Sequence, residues 1–199
     1  MVIAPLVVAL FATFITVFVG VSLGGLAGFY GGGLDSVISR LADGFFALPY
    51  LVGAIVVLSA LTTSEGREIW HVAVAIGFLG WPAVVRLYRS TVLQVKGLEY
   101  VQAARALGAS DRRVLMRHIL PNAIAPTLVY STISMGAVIS VEATLSFLGI
   151  GLPIDSISWG IMINEAGTRI QQSPHLLLFP GGYLVLASLA FVLMGEELR

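Results

Sequence analysis

The sequence predicts an all-α membrane protein built as a bundle of five transmembrane helices, and three observations lead to this prediction. The chain has 199 residues, is 57% hydrophobic and has a mean hydropathy of +0.94. Only 11% of its residues are charged. Soluble domains carry about 25%, so polar side chains cannot cover this surface. Five segments are also long and apolar enough to cross a hydrocarbon core, which takes roughly 20 residues.

The five predicted spans are helical because, in lipid, a helix satisfies its own backbone hydrogen bonds within one segment. The spans cover about residues 2–29, 41–61, 70–93, 122–148 and 176–195. Together they form one predicted transmembrane domain, 1–199. The first has no charge and no basic residue before it. It is also too long for the apolar region of a signal peptide, so it is predicted to remain as a span.

Basic residues predict the orientation. Seven of the eleven Lys and Arg lie between the last part of the third span, at Arg86, and the start of the fourth. This places the connection in the cytoplasm, because cytoplasmic loops are enriched in both residues. The loops at 62–69 and 149–175 and the N-terminus then lie outside, and the C-terminus with Arg199 lies inside. An N-terminus outside the cell suggests that a further span precedes the sequence in hand.

The cytoplasmic connection is predicted to form a helix–turn–helix hairpin at about 98–121. Ala103 and Ala104 favour a first helix, since alanine has the highest helix propensity. Gly108 suits the left-handed position that ends a helix, and Ser110 is suited to cap the next one.

The second helix of this hairpin is predicted to begin at Asp111 and to end at Pro121. At helical spacing, one face of it carries an apolar stripe consisting of Val114, Leu115, His118 and Ile119. The cations lie off that stripe. The hairpin is either an anchor for anionic lipid headgroups or a docking element whose stripe inserts into a groove of a soluble partner. The two caps and the glycine break favour docking.

The stretch QAARALGASDRRVLMRHILP resembles the cytoplasmic signature loop of ABC-importer permeases. That loop reads Glu-Ala-Ala, three residues, Gly, nine residues, Ile-x-Leu-Pro. Ala103, Ala104, Gly108, Leu120 and Pro121 match it, while Gln102 replaces the glutamate and His118 the isoleucine. Three further stretches resemble the dipeptide/oligopeptide/nickel branch of these permeases: GFYGGGLDSVISRLADGFFALP (28–49), SFLGIGL (146–152) and LFPGGYLVLASLAFVLMGEELR (178–199).

The resemblance implies a permease subunit that carries dipeptides or oligopeptides inward across a bacterial or archaeal cytoplasmic membrane, with nickel or another small solute left open. It also implies three kinds of partner: a second homologous permease, two cytoplasmic ATPases that bind ATP and Mg, and an external solute-binding protein. This chain has no G-x-x-x-x-G-K-[ST] motif and so no P-loop. Members of the branch usually have one more N-terminal span, which this chain is expected to lack.

The same resemblance implies a set of site residues. The loop expected to couple to the ATPase contains Gln102, Ala103, Ala104, Gly108, Ser110, Asp111, Val114, Leu115, His118, Leu120 and Pro121. In the external 149–175 segment, Asp155, Ser158, Trp159 and Glu165 are candidates to contact the binding protein. Re-entrant packing is the alternative role for that segment.

Glu142 is an acid within the fourth predicted span. Because such residues usually face the bundle interior or a water path, it is a candidate for the transport pathway. The alternative is a structural hydrogen bond, for example to Ser140, Thr144 or a neighbouring helix.

Two glycine patterns remain. Gly20, Gly24, Gly28 and Gly32 recur every four residues, a spacing that lets membrane helices approach closely, either within the chain or between subunits. The run GVSLG (20–24) also matches G-x-S-x-G. That hydrolase motif needs a strand–turn–helix context, so an intramembrane hydrolase is disfavoured and no catalytic residue is assigned.

The absence of Cys excludes thiolate metal sites, and the balanced charge gives no indication of nucleic-acid binding. No cofactor or metal is expected in this chain.

Overall fold

The computed structural model describes residues 3–62, 66–153 and 155–198, so Arg199 and part of the predicted loop at 62–69 lie outside the described residues. Helices account for most of the described chain, which confirms the all-α prediction. They are α1 (Ala4–Tyr30), α2 (Gly32–Phe46), α3 (Tyr50–Leu61), α4 (Ile69–Lys96), α5 (Glu99–Ala106), α6 (Asp111–Arg113), a π-helical segment (Val114–Ile119), α7 (Leu120–Ala123), α8 (Ala125–Phe147), α9 (Trp159–Gly167) and α10 (His175–Glu197).

Four of these helices, α1, α4, α8 and α10, are long and apolar enough to cross a membrane. The pair α2 and α3 makes a fifth candidate if it counts as one broken span, because the two helices meet at an angle of 96°. The predicted single helix over 41–61 is therefore wrong. Pro49 causes the break, since it has no backbone N–H to donate and biases Leu48 before it towards an extended backbone.

Helices α1 and α4 form the most extensive helix–helix contact of the described chain. A Cβ atom added at Gly20 would lie 2.4 Å from the Val84 Cβ, and one at Gly28 would lie 2.9 Å from the Val92 Cβ. The two backbones approach this closely because glycine places no side chain between them. The spacing of four thus serves packing within the chain at Gly20, Gly24 and Gly28. Gly32 instead begins α2, where an added Cβ would meet no described atom within 4 Å.

Helix α8 lies against α1 on one side and against α10 on another. Gly136 of α8 allows the approach of α10, since an added Cβ would lie 2.7 Å from the Ser188 carbonyl oxygen. Ser188 also donates a hydrogen bond to the Gly136 carbonyl at 3.2 Å. The loop at 98–121, predicted to be cytoplasmic, and the segment at 149–175, predicted to be external, are attached to the two ends of α8. They are called the cytoplasmic loop and the external segment, and α8 joins these two candidate functional regions.

Candidate functional site

The turn of the cytoplasmic loop is shaped by Gly108, which has a φ of 83°. This left-handed conformation costs glycine little. The Gly108 N–H donates to the Arg105 carbonyl at 2.9 Å, and the Ala109 N–H donates to the Ala104 carbonyl at 3.1 Å. Leu107, just before the glycine, is 89% exposed. The loop therefore presents an uncovered apolar side chain at a turn held by backbone hydrogen bonds.

Ser110 precedes α6 as predicted, but its hydroxyl caps none of the described backbone amides. Its carbonyl instead accepts from the Val114 N–H at 2.9 Å. Only three α-helical residues follow before the turns widen into the π-helical segment. The carboxylate of Asp111, 3.8 Å from the Arg105 guanidinium, supplies negative charge at this helix start.

Pro121 does not end the second helix of the loop, which corrects the prediction. The helical path continues through the π-helical segment into α7, where Pro121 lies in the first turn. A proline is tolerated in a first turn, where its missing N–H would have no partner, and the wider turns before it leave room for its ring. The chain then bends at Ile124 and enters α8.

Two of the four residues of the apolar stripe are covered by the chain itself. Val114 and Ile119 are 0% exposed and pack in one cluster with Phe29 of α1, Tyr88 and Val92 of α4, and Val101 of α5. For Val114 and Ile119, the expectation of insertion into a groove of a partner is therefore wrong, because both side chains already pack against the chain's own helices. The other two members of the stripe, Leu115 and His118, are partly buried.

The outer surface of the loop is formed by other side chains. Leu107, Met116 and the guanidinium-bearing Arg112, Arg113 and Arg117 are exposed. Of the residues predicted to couple to the ATPase, Gln102, Ala103 and Pro121 are exposed, and Ala104, Leu115, His118 and Leu120 are partly buried. Gln102 Nε2 donates to the Gly97 carbonyl at 3.1 Å, a bond that a glutamate at this position could not donate. Leu107 and Met116 were not singled out from the sequence, since their exposure depends on which face the chain covers.

Glu142 is 0% exposed in α8 and joins this helix to the external segment. Its Oε1 atom accepts hydrogen bonds from the Ser146 hydroxyl at 2.6 Å and the Ser158 hydroxyl at 3.0 Å. The partners considered from the sequence make other bonds: Ser140 donates to Gly136 and Thr144 donates to Ser140. Ser158 lies 16 residues beyond Glu142, so local spacing could not have identified it.

The external candidates divide into two pairs. Ser158 and Trp159 are buried, with exposures of 0% and 7%, whereas Asp155 and Glu165 are exposed. Ser158 caps α9 by accepting from the Gly160 N–H at 3.1 Å. Asp155 and Glu165 therefore keep a surface that a partner could contact, while Ser158 and Trp159 hold the segment against the bundle.

A cavity of about 610 Å³ lies at the break between α2 and α3, with further walls from α1, α4 and α8. All of the described residues that line it are uncharged, and they include the hydroxyl-bearing Tyr50, Tyr130 and Ser134. Val138 and Val141 of α8 also line it, whereas Glu142 is not among the described lining residues. The buried carboxyl group of Glu142 thus faces the external segment and not this cavity.

Several curated proteins are similar in sequence. The glutathione transport system permease protein GsiD of Pectobacterium atrosepticum is 37% identical over 194 residues, 98% of this chain and 63% of that protein. The oligopeptide transport system permease protein OppC of Bacillus subtilis is 35% identical over 188 residues, 94% of this chain and 60% of that protein. The chain therefore spans less than two thirds of the length of these relatives.

Solved structures show the same fold at low identity. An inward-facing conformation of the MetNI methionine ABC transporter has a TM-score of 0.81 at 17% identity, covering 98% of this chain and 90% of that chain. An amino acid ABC transporter with histidines has a TM-score of 0.72 at 16% identity, with coverages of 98% and 89%. The family model described as "Binding-protein-dependent transport system inner membrane component" matches residues 20–195. This chain therefore belongs to the family of binding-protein-dependent transport system inner membrane components.

Proposed function

We propose that this chain is a permease subunit of an ABC importer that takes up dipeptides, oligopeptides or related peptides. The observation that supports this most directly is the cytoplasmic loop. The spacing of the permease signature falls on a hairpin whose glycine turn presents Leu107 with 89% exposure. An apolar side chain held out in this way is suited to a pocket on another protein. The similarity to peptide and glutathione permeases supports the class of cargo.

In this proposal the chain does no chemistry itself. It pairs with a second homologous permease, two cytoplasmic ATPases bind ATP with Mg and hydrolyse it, and an external solute-binding protein delivers the cargo. The chain lies in the cytoplasmic membrane with the 98–121 loop inside and the 149–175 segment outside, as the distribution of basic residues indicates. Asp155 and Glu165 remain exposed for contact with the binding protein.

The loop would transmit movement because it is attached to two spans at once. Val114 and Ile119 are buried against α1 and α4, so a displacement of the turn at Gly108 moves those helices with it. Buried side chains in a packed cluster cannot be separated without exposing apolar surface. Closure of the ATPases would therefore rock the packed helices as a body, a known type of switching transition.

We propose that the cavity at the α2–α3 break is part of the cargo pathway and that its lining residues form one wall of that pathway. Broken helices near the middle of the membrane are common at transport sites. The described lining offers hydroxyl groups and apolar surface, with no carboxylate or imidazole to hold a metal cation. This chemistry favours a peptide over a bare nickel ion.

Co-purification of the ATPase subunits tests the proposal. We expect Leu107→Ser to insert normally but to retain less than about a tenth of the ATPase, as for the loss of an apolar anchor in an interface. The matched control is Leu34→Ser, which changes a leucine of α2 that is 44% exposed and outside the loop. Equal retention of the ATPase by wild type, by Leu107→Ser and by a variant with a scrambled loop would refute the coupling role.

A further inference from the structure

The carboxyl group of Glu142 is the centre of a buried hydrogen-bond network that joins three parts of the chain. The two hydroxyls that donate to it belong to Ser146, one turn further along α8, and to Ser158, the residue before α9. Each of these hydroxyl oxygens also accepts a hydrogen bond from a backbone N–H. Ser146 Oγ accepts from Leu152 at 3.1 Å, and Ser158 Oγ accepts from Gly160 at 3.1 Å. One carboxyl oxygen thereby orients two serines, and each serine holds one backbone amide of the external segment.

Two glycines bring the same external segment into direct contact with α8. A Cβ atom added at Gly151 would lie 2.4 Å from the Ser146 backbone nitrogen, and one at Gly160 would lie 2.0 Å from the Ala143 carbonyl oxygen. No side chain could therefore be inserted between the segment and the helix at these two points. The contact is one of backbone against backbone, reinforced by the Asn164 Nδ2 atom, which donates to the Phe147 carbonyl at 2.7 Å.

Helix α8 also leads directly to the cytoplasmic loop, since α7 and the π-helical segment immediately precede it in the chain. We propose that Glu142 is a positioning residue that locks residues 149–153 and 155–160 of the external segment, and α9, to α8, so that α8 carries a displacement of the cytoplasmic loop to the external face as one body. This inference rests on the proposed importer function, in which movement begins at the ATPase.

The geometry assigns this role to hydrogen bonding rather than to charge. Both hydroxyls donate to Oε1, and no described residue donates to the buried Oε2 atom. A buried polar group is stabilising only when its hydrogen bonds are made. The amide oxygen of glutamine has the same reach and can accept both hydroxyl hydrogen bonds, whereas leucine has a similar volume and can accept neither.

The test compares Glu142→Gln with Glu142→Leu in the full importer reconstituted in liposomes, using uptake of labelled trialanine and hydrogen exchange of the α9 amides. We expect Glu142→Gln to stay within about twofold of wild type in both measurements, and Glu142→Leu to lose at least about tenfold in uptake and in α9 protection, because its buried serines lose their acceptor. Both variants should still co-purify the ATPase, because the cytoplasmic loop is unchanged.

Ser158→Ala provides a second test if Glu142→Leu does not insert. It removes one of the two donors to Glu142 together with the cap of α9, and we expect faster exchange in α9 with reduced uptake. The matched control is Ser156→Ala, a partly buried serine of the same segment that does not donate to Glu142. A loss of uptake in Glu142→Gln as large as in Glu142→Leu would overturn the inference, since charge would then be what matters. Normal uptake and normal α9 protection in Glu142→Leu or Ser158→Ala would also overturn it.

Failure of the importer proposal gives a different pattern. If the wild-type protein neither co-purifies an ATPase nor takes up trialanine, the proposed function is contradicted. The exchange of the α9 amides then decides separately whether Glu142 holds the external segment to α8.

Discussion

Replacing Gly24 of α1 with alanine tests the close contact between α1 and α4. The added Cβ would lie 2.8 Å from the Val85 carbonyl oxygen and 3.2 Å from the Arg89 backbone nitrogen. Both neighbours are backbone atoms of α4, so no side-chain rotation can relieve the overlap. Ordinary contact between such atoms needs about 3.5 Å, so the two helices would have to separate by roughly 0.7 Å at this point.

The expected cost follows from overpacking. Inserting a methyl group into a close-packed contact typically costs about 1–3 kcal/mol. The higher helix propensity of alanine returns up to about 1 kcal/mol. Taking about 2 kcal/mol for the overpacking and about 1 kcal/mol for the gain in helix propensity, we expect Gly24→Ala to lower the free energy of unfolding by about 1 kcal/mol.

Gly44 of α2 provides the matched control for this substitution. It is also helical, but an added Cβ there would meet no described atom within 4 Å. Gly44→Ala should therefore leave the free energy of unfolding unchanged or raise it by up to about 1 kcal/mol. Unfolding of the purified chain by SDS titration, followed by circular dichroism, measures both variants. Equal stability of Gly24→Ala and wild type would refute the contact of α1 and α4 at this glycine.

Three further substitutions test the two ion pairs at the α2–α4 contact and the turn of the loop. Asp35→Asn removes a carboxylate held by two nitrogens of Arg89; the Asp35 side chain is 20% exposed and the Arg89 side chain 33%. The substitution should lower the free energy of unfolding, measured by SDS titration, by about 1–2 kcal/mol. Asp43→Asn breaks the pair with Arg86; the Asp43 side chain is 63% exposed and the Arg86 side chain 55%. It should lower the free energy of unfolding by less than about 1 kcal/mol, and equal decreases in the two variants would contradict this ranking. Gly108→Ala places a side chain at a φ of 83°, a strain of about 1 kcal/mol, and should reduce co-purification of the ATPase without preventing insertion; unchanged co-purification would show that the shape of the turn is not needed.

The covered stripe of the cytoplasmic loop changes how the loop is expected to work. Val114 and Ile119 attach the loop to α1 and α4, and the exposed Leu107 and Met116 remain for a partner. The loop is therefore apolar on two sides, one packed against its own bundle and one exposed, which the importer proposal assigns to the ATPase. A loop attached in this way can pass a movement on to the spans, whereas a loop fixed only at its ends would bend.

Several features could be predicted from the sequence because they depend on composition or on short spacings. The apolar segments predicted an all-helical membrane fold because lipid leaves the backbone no other way to satisfy its hydrogen bonds within one segment. The spacing of four in Gly20, Gly24 and Gly28 predicted close helix packing. Gly108 marked the turn of the loop, since its left-handed conformation disfavours other residues.

Other features were decided only by the tertiary structure. An apolar stripe shows that a face is covered but not which molecule covers it, so Val114 and Ile119 were wrongly assigned to a partner. The acceptor role of Glu142 towards Ser158 joins residues 16 positions apart, and no local pattern encodes that pairing. The sequence by itself thus determined the helical membrane fold and the family signature, because these depend on local chemistry. The tertiary structure decided which faces remain free and what Glu142 holds, because those depend on contacts between helices that are distant in the chain.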